Sequence, residues 1–128
     1  MCAAKKILVV DDSLVVVHGV EFILRKKGFE TSSAHSVDAA LALLEGPNSF
    51  LPDLVLADLN MEGKSGFDLV RTLKANAKWN KIPILMLTTE SSREAAAEGK
   101  ALGLSGWMVK PFAEDHLVSA IVKLTGAL

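Results

Sequence analysis

At 128 residues, with 14 Lys plus Arg against 15 Asp plus Glu and a single cysteine, the chain has no charge excess to draw it to nucleic acid or anionic lipid and no second thiol for an internal disulfide. One domain over 1–128 is expected, because a chain of this size buries roughly two-thirds of the surface it exposes when unfolded. Lys5-Lys6 precede only four apolar residues, and no later run approaches a membrane span, so neither a signal peptide nor a membrane segment is expected and a cytoplasmic location is.

Ile7-Leu8-Val9-Val10 is too short for a helix and reads as a strand buried on both faces, stopping at the carboxylates Asp11-Asp12. Ser13 is the N-cap of a helix running to about Lys27, where Gly28 ends it. Helical spacing puts Val16, Val20, Ile23 and Leu24 on its core side. Leu14, Val15, Val17 and Phe22 are more apolar than an outward face requires; packing under loops is the expectation, a contact patch the alternative. Gly19, inside this helix, costs about 1 kcal/mol relative to Ala for no reason visible in the sequence. Cys2, beside the N-terminus, is not expected to be a structural or catalytic thiol.

Phe29 to Ser33 is a weak, polar strand best placed at a sheet edge. Ser36 caps a second helix with the stripe Val37, Ala40, Leu41 and Leu44, closed by Gly46-Pro47. Leu54-Val55-Leu56-Ala57 is another buried strand and ends in Asp58, followed by the loop Leu59-Asn60-Met61-Glu62-Gly63-Lys64-Ser65-Gly66. Phe67, Leu69, Val70 and Leu73 mark a third helix, and Trp79 in the polar connection after it covers a core edge. Ile82 to Leu87 is a fourth strand, ending in Thr88-Thr89-Glu90. Ser91 or Ser92 caps a helix of Ala95, Ala96, Ala97 and Ala101 interrupted by Gly99; its small side chains bury little area, so it is expected to be weakly anchored. Gly106 to Val109 is the fifth strand, ending in Lys110-Pro111-Phe112, and Leu117, Ile121 and Leu124 stripe the last helix.

Strand alternates with helix five times, which with short connections and right-handed crossovers gives an α/β doubly wound parallel sheet with helices on both faces. In such a sheet the carboxyl ends of all strands lie on one edge, where ligands bind. Asp11-Asp12, Asp58, Thr88 and Lys110 therefore converge. Each has a plain explanation alone: Asp11 and Ser13 as a helix cap, Asp58 as a turn cap, Thr88 as a strand end, Lys110 as a solvated charge. Their joint occurrence at four strand ends is harder to assign to chance. Three carboxylates in one cleft repel unless a hard divalent cation, with Mg²⁺ the natural choice, makes the cluster tolerable. Lys110 adds a compact positive charge that pairs with Asp58 or with an anion bound there, and Thr88 a hydroxyl donor. The parts suit phosphoryl transfer, with Asp58 as nucleophile and the Asp11-Asp12 pair as metal holders.

With these residues in place the chain resembles the receiver domain of two-component response regulators, from Lys6 to about Leu124. The Asp-Asp after strand one, the Asp after strand three, the Thr after strand four and the Lys-Pro-Phe after strand five carry the match. The resemblance implies a flavodoxin-like sheet in order 2-1-3-4-5 with five helices. It implies that Asp58 is phosphorylated by a phosphohistidine on a sensor histidine kinase or a histidine phosphotransfer protein. It also implies that Asp11 or Asp12, with Asp58 and the main-chain carbonyl of Asn60, holds Mg²⁺, that Lys110 and Thr88 bind the phosphoryl oxygens, and that the Lys110-Pro111 peptide is cis. Thr88 and Trp107 take the positions of the family's switch pair, although Tyr or Phe is commoner at the second. Glu62 stands where the family usually has a proline, which should loosen its loop and adds an acid. Thr89 replaces the commoner Ala or Gly and narrows access. Asn60 and Glu90 stand where the family sets the hydrolysis rate; both are polar, so a short-lived phosphoaspartate is expected.

The resulting expectation is a stand-alone phosphorylation switch, not a conventional enzyme, signalling by protein contact through the fourth helix, fifth strand and fifth helix, with no nucleic acid or membrane partner. A receiver cut from a longer regulator is one alternative. Another is a phosphohydrolase with an aspartate nucleophile, disfavoured because Asn60 fills the place of the second acid such enzymes need.

Overall fold

Three short apolar runs, at 7–10, 54–57 and 84–87, become the inner strands of one sheet, because only there are both faces of a strand covered. The structure, a computed structural model, describes residues 4–46 and 51–126; Cys2 and Pro47 lie outside them. The elements follow as β1 (Lys6–Val10), α1 (Leu14–Lys26), β2 (Glu30–Ala34), α2 (Val37–Glu45), β3 (Leu54–Ala57), α3 (Gly66–Lys74), β4 (Ile84–Thr88), α4 (Arg93–Leu102), β5 (Gly106–Val109) and α5 (Glu114–Thr125). All pairings are parallel and the order is β2-β1-β3-β4-β5. β3 and β4 are buried throughout, whereas the edge strands β2 and β5 are only partly covered.

Side chains alternate across each strand, so the sheet divides its apolar residues between two cores. Leu8, Val10, Val55, Ala57, Ile84 and Met86 face α2 and α3, with Leu69, Val70, Leu73 and Trp79 in the same cluster. Ile7, Val9, Leu54, Leu56, Leu85 and Leu87 face the other way, onto Val17, Val20 and Leu24 of α1 and Leu117 and Ile121 of α5. Trp79 is 4 % exposed and closes a core edge, as expected. The Lys110-Pro111 peptide is cis. Among the described residues no helix is long and apolar enough to cross a membrane.

Helix α1 differs from the sequence reading by one position in phase. Its buried stripe is Val17, Val20, Glu21 and Leu24, while Val16 and Ile23 are half-buried. A charge at position 21 argues against that phase in the sequence alone. The fold accepts it because the Glu21 carboxylate receives hydrogen bonds from the Thr31 hydroxyl at 2.8 Å and the Arg25 guanidinium at 3.3 Å. The rotation leaves Leu14, Val15 and Phe22 64, 83 and 68 % exposed, so they do not pack under loops. Gly28, at φ +92, lets the chain leave α1 in a conformation a side chain resists.

Candidate functional site

The main chain places the cleft before any side chain does. Beyond the ends of β1, β3 and β5 the ladder continues for one more residue: Asp11 N–H donates to Ala34 O at 3.1 Å, Asp58 N–H to Val10 O at 3.0 Å, and Lys110 N–H to Thr88 O at 2.8 Å. Asp11, Asp58, Thr88 and Lys110 are thereby held at one sheet edge by the strands themselves. Asp11, Asp58 and Thr88 are buried, and Asp12 is exposed.

The ammonium of Lys110 lies 2.9 Å from Asp11 Oδ2 and 3.4 Å from Asp58 Oδ2, so it bridges two acids rather than serving Asp58 alone. Asp11 keeps its helix-cap role as well, since its Oδ1 accepts from Ser13 N–H at 2.9 Å while Ser13 Oγ accepts from Val16 N–H at 3.3 Å. Asp58 Oδ1 accepts from Asn60 N–H at 3.2 Å, and Asp12 Oδ2 from Glu62 N–H at 3.1 Å. Asp11, Asp12 and Asp58 each offer one carboxylate oxygen within 4.8 Å of the others. Three carboxylates against one ammonium leave two negative charges in the cleft. Hard oxygen donors with that residual charge fit a divalent cation of the Mg²⁺ type. Asn60 adjoins the cluster through its amide.

Thr88 and Trp107 are brought together through a third residue. Thr88 Oγ1 accepts from Glu90 N–H at 3.2 Å, and the carbonyl of the same Glu90 accepts from the Trp107 indole N–H at 3.1 Å. The Glu90 carboxylate takes the amide of Ser92 at 3.2 Å, and Ser92 Oγ caps α4 through Ala95 N–H at 3.1 Å. The indole is also tilted against Phe67, with ring centroids 6.2 Å apart. Sequence reasoning missed this bridging role of Glu90, because a main-chain donor and acceptor carry no residue-type signal. It also missed Gly66, whose bare α-carbon presses against the Asp58 carbonyl where a side chain has no room. A glycine opening a helix was the available signal.

Residues 7–122 match the family described as the response regulator receiver domain. The chemotaxis protein CheY of Pseudomonas aeruginosa is 35% identical over 120 residues, spanning 93% of this chain and 94% of that protein. The phosphate regulon transcriptional regulatory protein PhoB of Escherichia coli is 34% identical over 118 residues, covering 92% of this chain but 50% of that protein. Among solved structures, the chemotaxis response regulator CheY4 of Vibrio cholerae superposes with a TM-score of 0.86 at 35% identity, covering 95% of this chain and 99% of that one.

Proposed function

The chain belongs to the response regulator receiver domain family, and from that membership we propose that Asp58 is its phosphoacceptor, charged by a phosphohistidine on a sensor histidine kinase or histidine phosphotransfer protein. The observation that carries this reading is the bridge from the Lys110 ammonium to both Asp11 and Asp58, beside the exposed Asp12. Such a bridge supports Asp58 as the nucleophile of this reading, because its carboxylate stands beside an ammonium and two further acids.

An Asp58 oxygen forms the new bond to phosphorus as the bond from phosphorus to the donor's ring nitrogen breaks, and that electron pair stays with the imidazole. Negative charge then passes from the Asp58 carboxylate to the phosphoryl oxygens. Lys110 is near enough to follow it, exchanging its Asp58 contact for a phosphoryl oxygen while keeping Asp11. The bond from Glu90 uses an acceptor lone pair of Thr88 Oγ1 and leaves the hydroxyl proton to donate to a second phosphoryl oxygen. Asp11 or Asp12, with Asp58 and the Asn60 carbonyl, would hold Mg²⁺, which when bound would neutralise the charge of the acids and of an incoming phosphoryl group. Of the two acids Asp12 has the freer oxygen, because Glu62 engages only its Oδ2 whereas both oxygens of Asp11 are engaged. A shift of Thr88 toward the phosphoryl group withdraws its hydrogen bond from Glu90 and so reaches Trp107 and the start of α4. The output is a changed protein-binding face in the cytoplasm.

Incubation with Mg²⁺ and acetyl phosphate tests the reading by intact mass. A phosphate adduct is expected on the wild-type chain and not on Asp58→Asn. An adduct of equal yield on Asp58→Asn overturns the assignment, and steady turnover of an unrelated phosphomonoester points to a hydrolase instead.

A further inference from the structure

Of the three acids, Asp12 is the one that nothing in the core holds. Asp11 and Asp58 are 2 and 8 % exposed and share the Lys110 ammonium, whereas Asp12 is exposed and pairs instead with a main-chain donor. An exposed carboxylate turns freely about its side-chain torsions, and that freedom is lost when it must meet a ligand in one orientation. Its bond to Glu62 N–H, across 50 residues of sequence, restricts that turning in advance.

The loop that presents this N–H is itself fixed. Asn60 N–H sits on Asp58 Oδ1, Gly66 N–H donates to Leu59 O at 2.9 Å, and Gly66 abuts the Asp58 carbonyl. At the start of α3 the Asp68 carboxylate accepts from Ser65 N–H at 2.8 Å. Gly63, at φ +79, turns the chain directly after Glu62, a conformation that suits glycine. The Glu62 side chain is exposed to solvent.

We propose that Glu62 is a positioning residue for the cation-binding acids and acts through its main-chain N–H, which orients the Asp12 carboxylate, rather than through its own charge. This rests on the reading that Asp11, Asp12 and Asp58 hold a divalent cation. The residue type at position 62 then matters chiefly in not being proline, since proline has no N–H to give. The loosening expected where the family usually has proline is countered by a tether that proline cannot make.

The test compares wild type, E62A and E62P for Mn²⁺ binding, read as loss of the free-ion electron paramagnetic resonance signal, with Mg²⁺ as competitor. E62A keeps the donor and is expected to bind within about twofold of wild type. E62P is expected to bind about tenfold more weakly, the scale of loss when a group orienting a metal ligand is removed. E62P binding as tightly as E62A, or more tightly, overturns the proposal. If E62P does not fold, the α-hydroxy acid analogue of Glu at position 62 removes the same N–H by an ester bond, and the same two outcomes apply. A cation reading that is itself wrong shows separately, as Mn²⁺ binding unaffected by Asp12→Asn and Asp58→Asn. The tether is then judged by hydrogen exchange alone: the Glu62 amide should be protected in wild type and lose protection in Asp12→Ala, and equal exchange rates overturn it.

Discussion

Gly99 and Trp107 are fitted to each other: with no side chain at Gly99, helix α4 lies directly on the indole. A β-carbon there would stand 3.1 Å from the indole Cζ3 and 2.5 Å from Leu104 Cδ1. Gly99 is also the one buried residue of α4. The helix is thus seated on an aromatic surface as well as by its own partly buried Ala95 and Leu102, and the same indole reaches the Glu90 carbonyl beside Thr88.

Gly99→Ala should therefore destabilise the protein although alanine is the better helix former. Overpacking costs about 1–3 kcal/mol, and the propensity gain offsets about 1 kcal/mol of it. A net loss of about 1 kcal/mol is expected by urea denaturation, with an altered Trp107 emission in a Trp79→Phe background. Emission unchanged at full stability would mean that the indole is not wedged against the helix.

The same substitution at Gly19 should have the opposite sign. Nothing lies within 4 Å of a β-carbon built there, and the position is exposed within α1. Gly19→Ala is expected to stabilise by about 0.5–1 kcal/mol. A loss of stability would show that the glycine serves something other than the isolated fold.

Lys110→Ala strips the ammonium from two carboxylates whose side chains are only 3 and 11 % exposed. Removing one member of a buried ion pair costs about 3 kcal/mol, so the variant should melt well below wild type without a divalent cation. Added Mg²⁺ should recover part of the loss, because a ligand that binds only the folded state stabilises it. Cation affinity itself should survive. A complete loss of Mg²⁺ binding would show that Lys110 assembles the acids rather than balancing their charge.

Glu114, at the start of α5, stands 2.7 Å from the ammonium of Lys26 at the end of α1. The close contact with the Lys26 ammonium holds its carboxyl below the ordinary glutamate range, against a smaller opposing effect of burial. A lowered folded-state pKa contributes stability that is fully present above the ordinary carboxylate range and is lost as pH falls through the lowered value. Lys26→Met should return the Glu114 titration, followed by carboxyl carbon NMR, toward the ordinary range and remove this part of the acid sensitivity. An unmoved titration curve would exclude Lys26 as the cause.

How much of this could be read from the residues depends on what each feature rests on. Strands β1, β3 and β4 were legible because their apolar runs are too short for helices of their own and alternate along the chain with helical stripes, and β2 because its polar side chains suit an edge. The phase of α1 was not, since it turns on Glu21 finding Thr31 and Arg25 as partners, and those pairings exist only after β2 lies beside the helix. The opposite meanings of Gly19 and Gly99 were equally hidden, because two glycines in helices look alike until the space around each is known.

The order of residues along the chain alone determined the alternation of strand and helix, and with it the gathering of Asp11, Asp12, Asp58, Thr88 and Lys110 at one edge, because parallel strands all end on the same side. Only the tertiary structure decided how those groups divide among themselves: Lys110 to Asp11 and Asp58, Asp12 to the Glu62 amide, Thr88 to the Glu90 N–H and Trp107 to the Glu90 carbonyl. The reason is that hydrogen bonds and ion pairs are set by separations of a few tenths of an ångström. Hydrophobic patterning fixes which elements meet, but main-chain amides and carbonyls look the same at every position until the fold aims them.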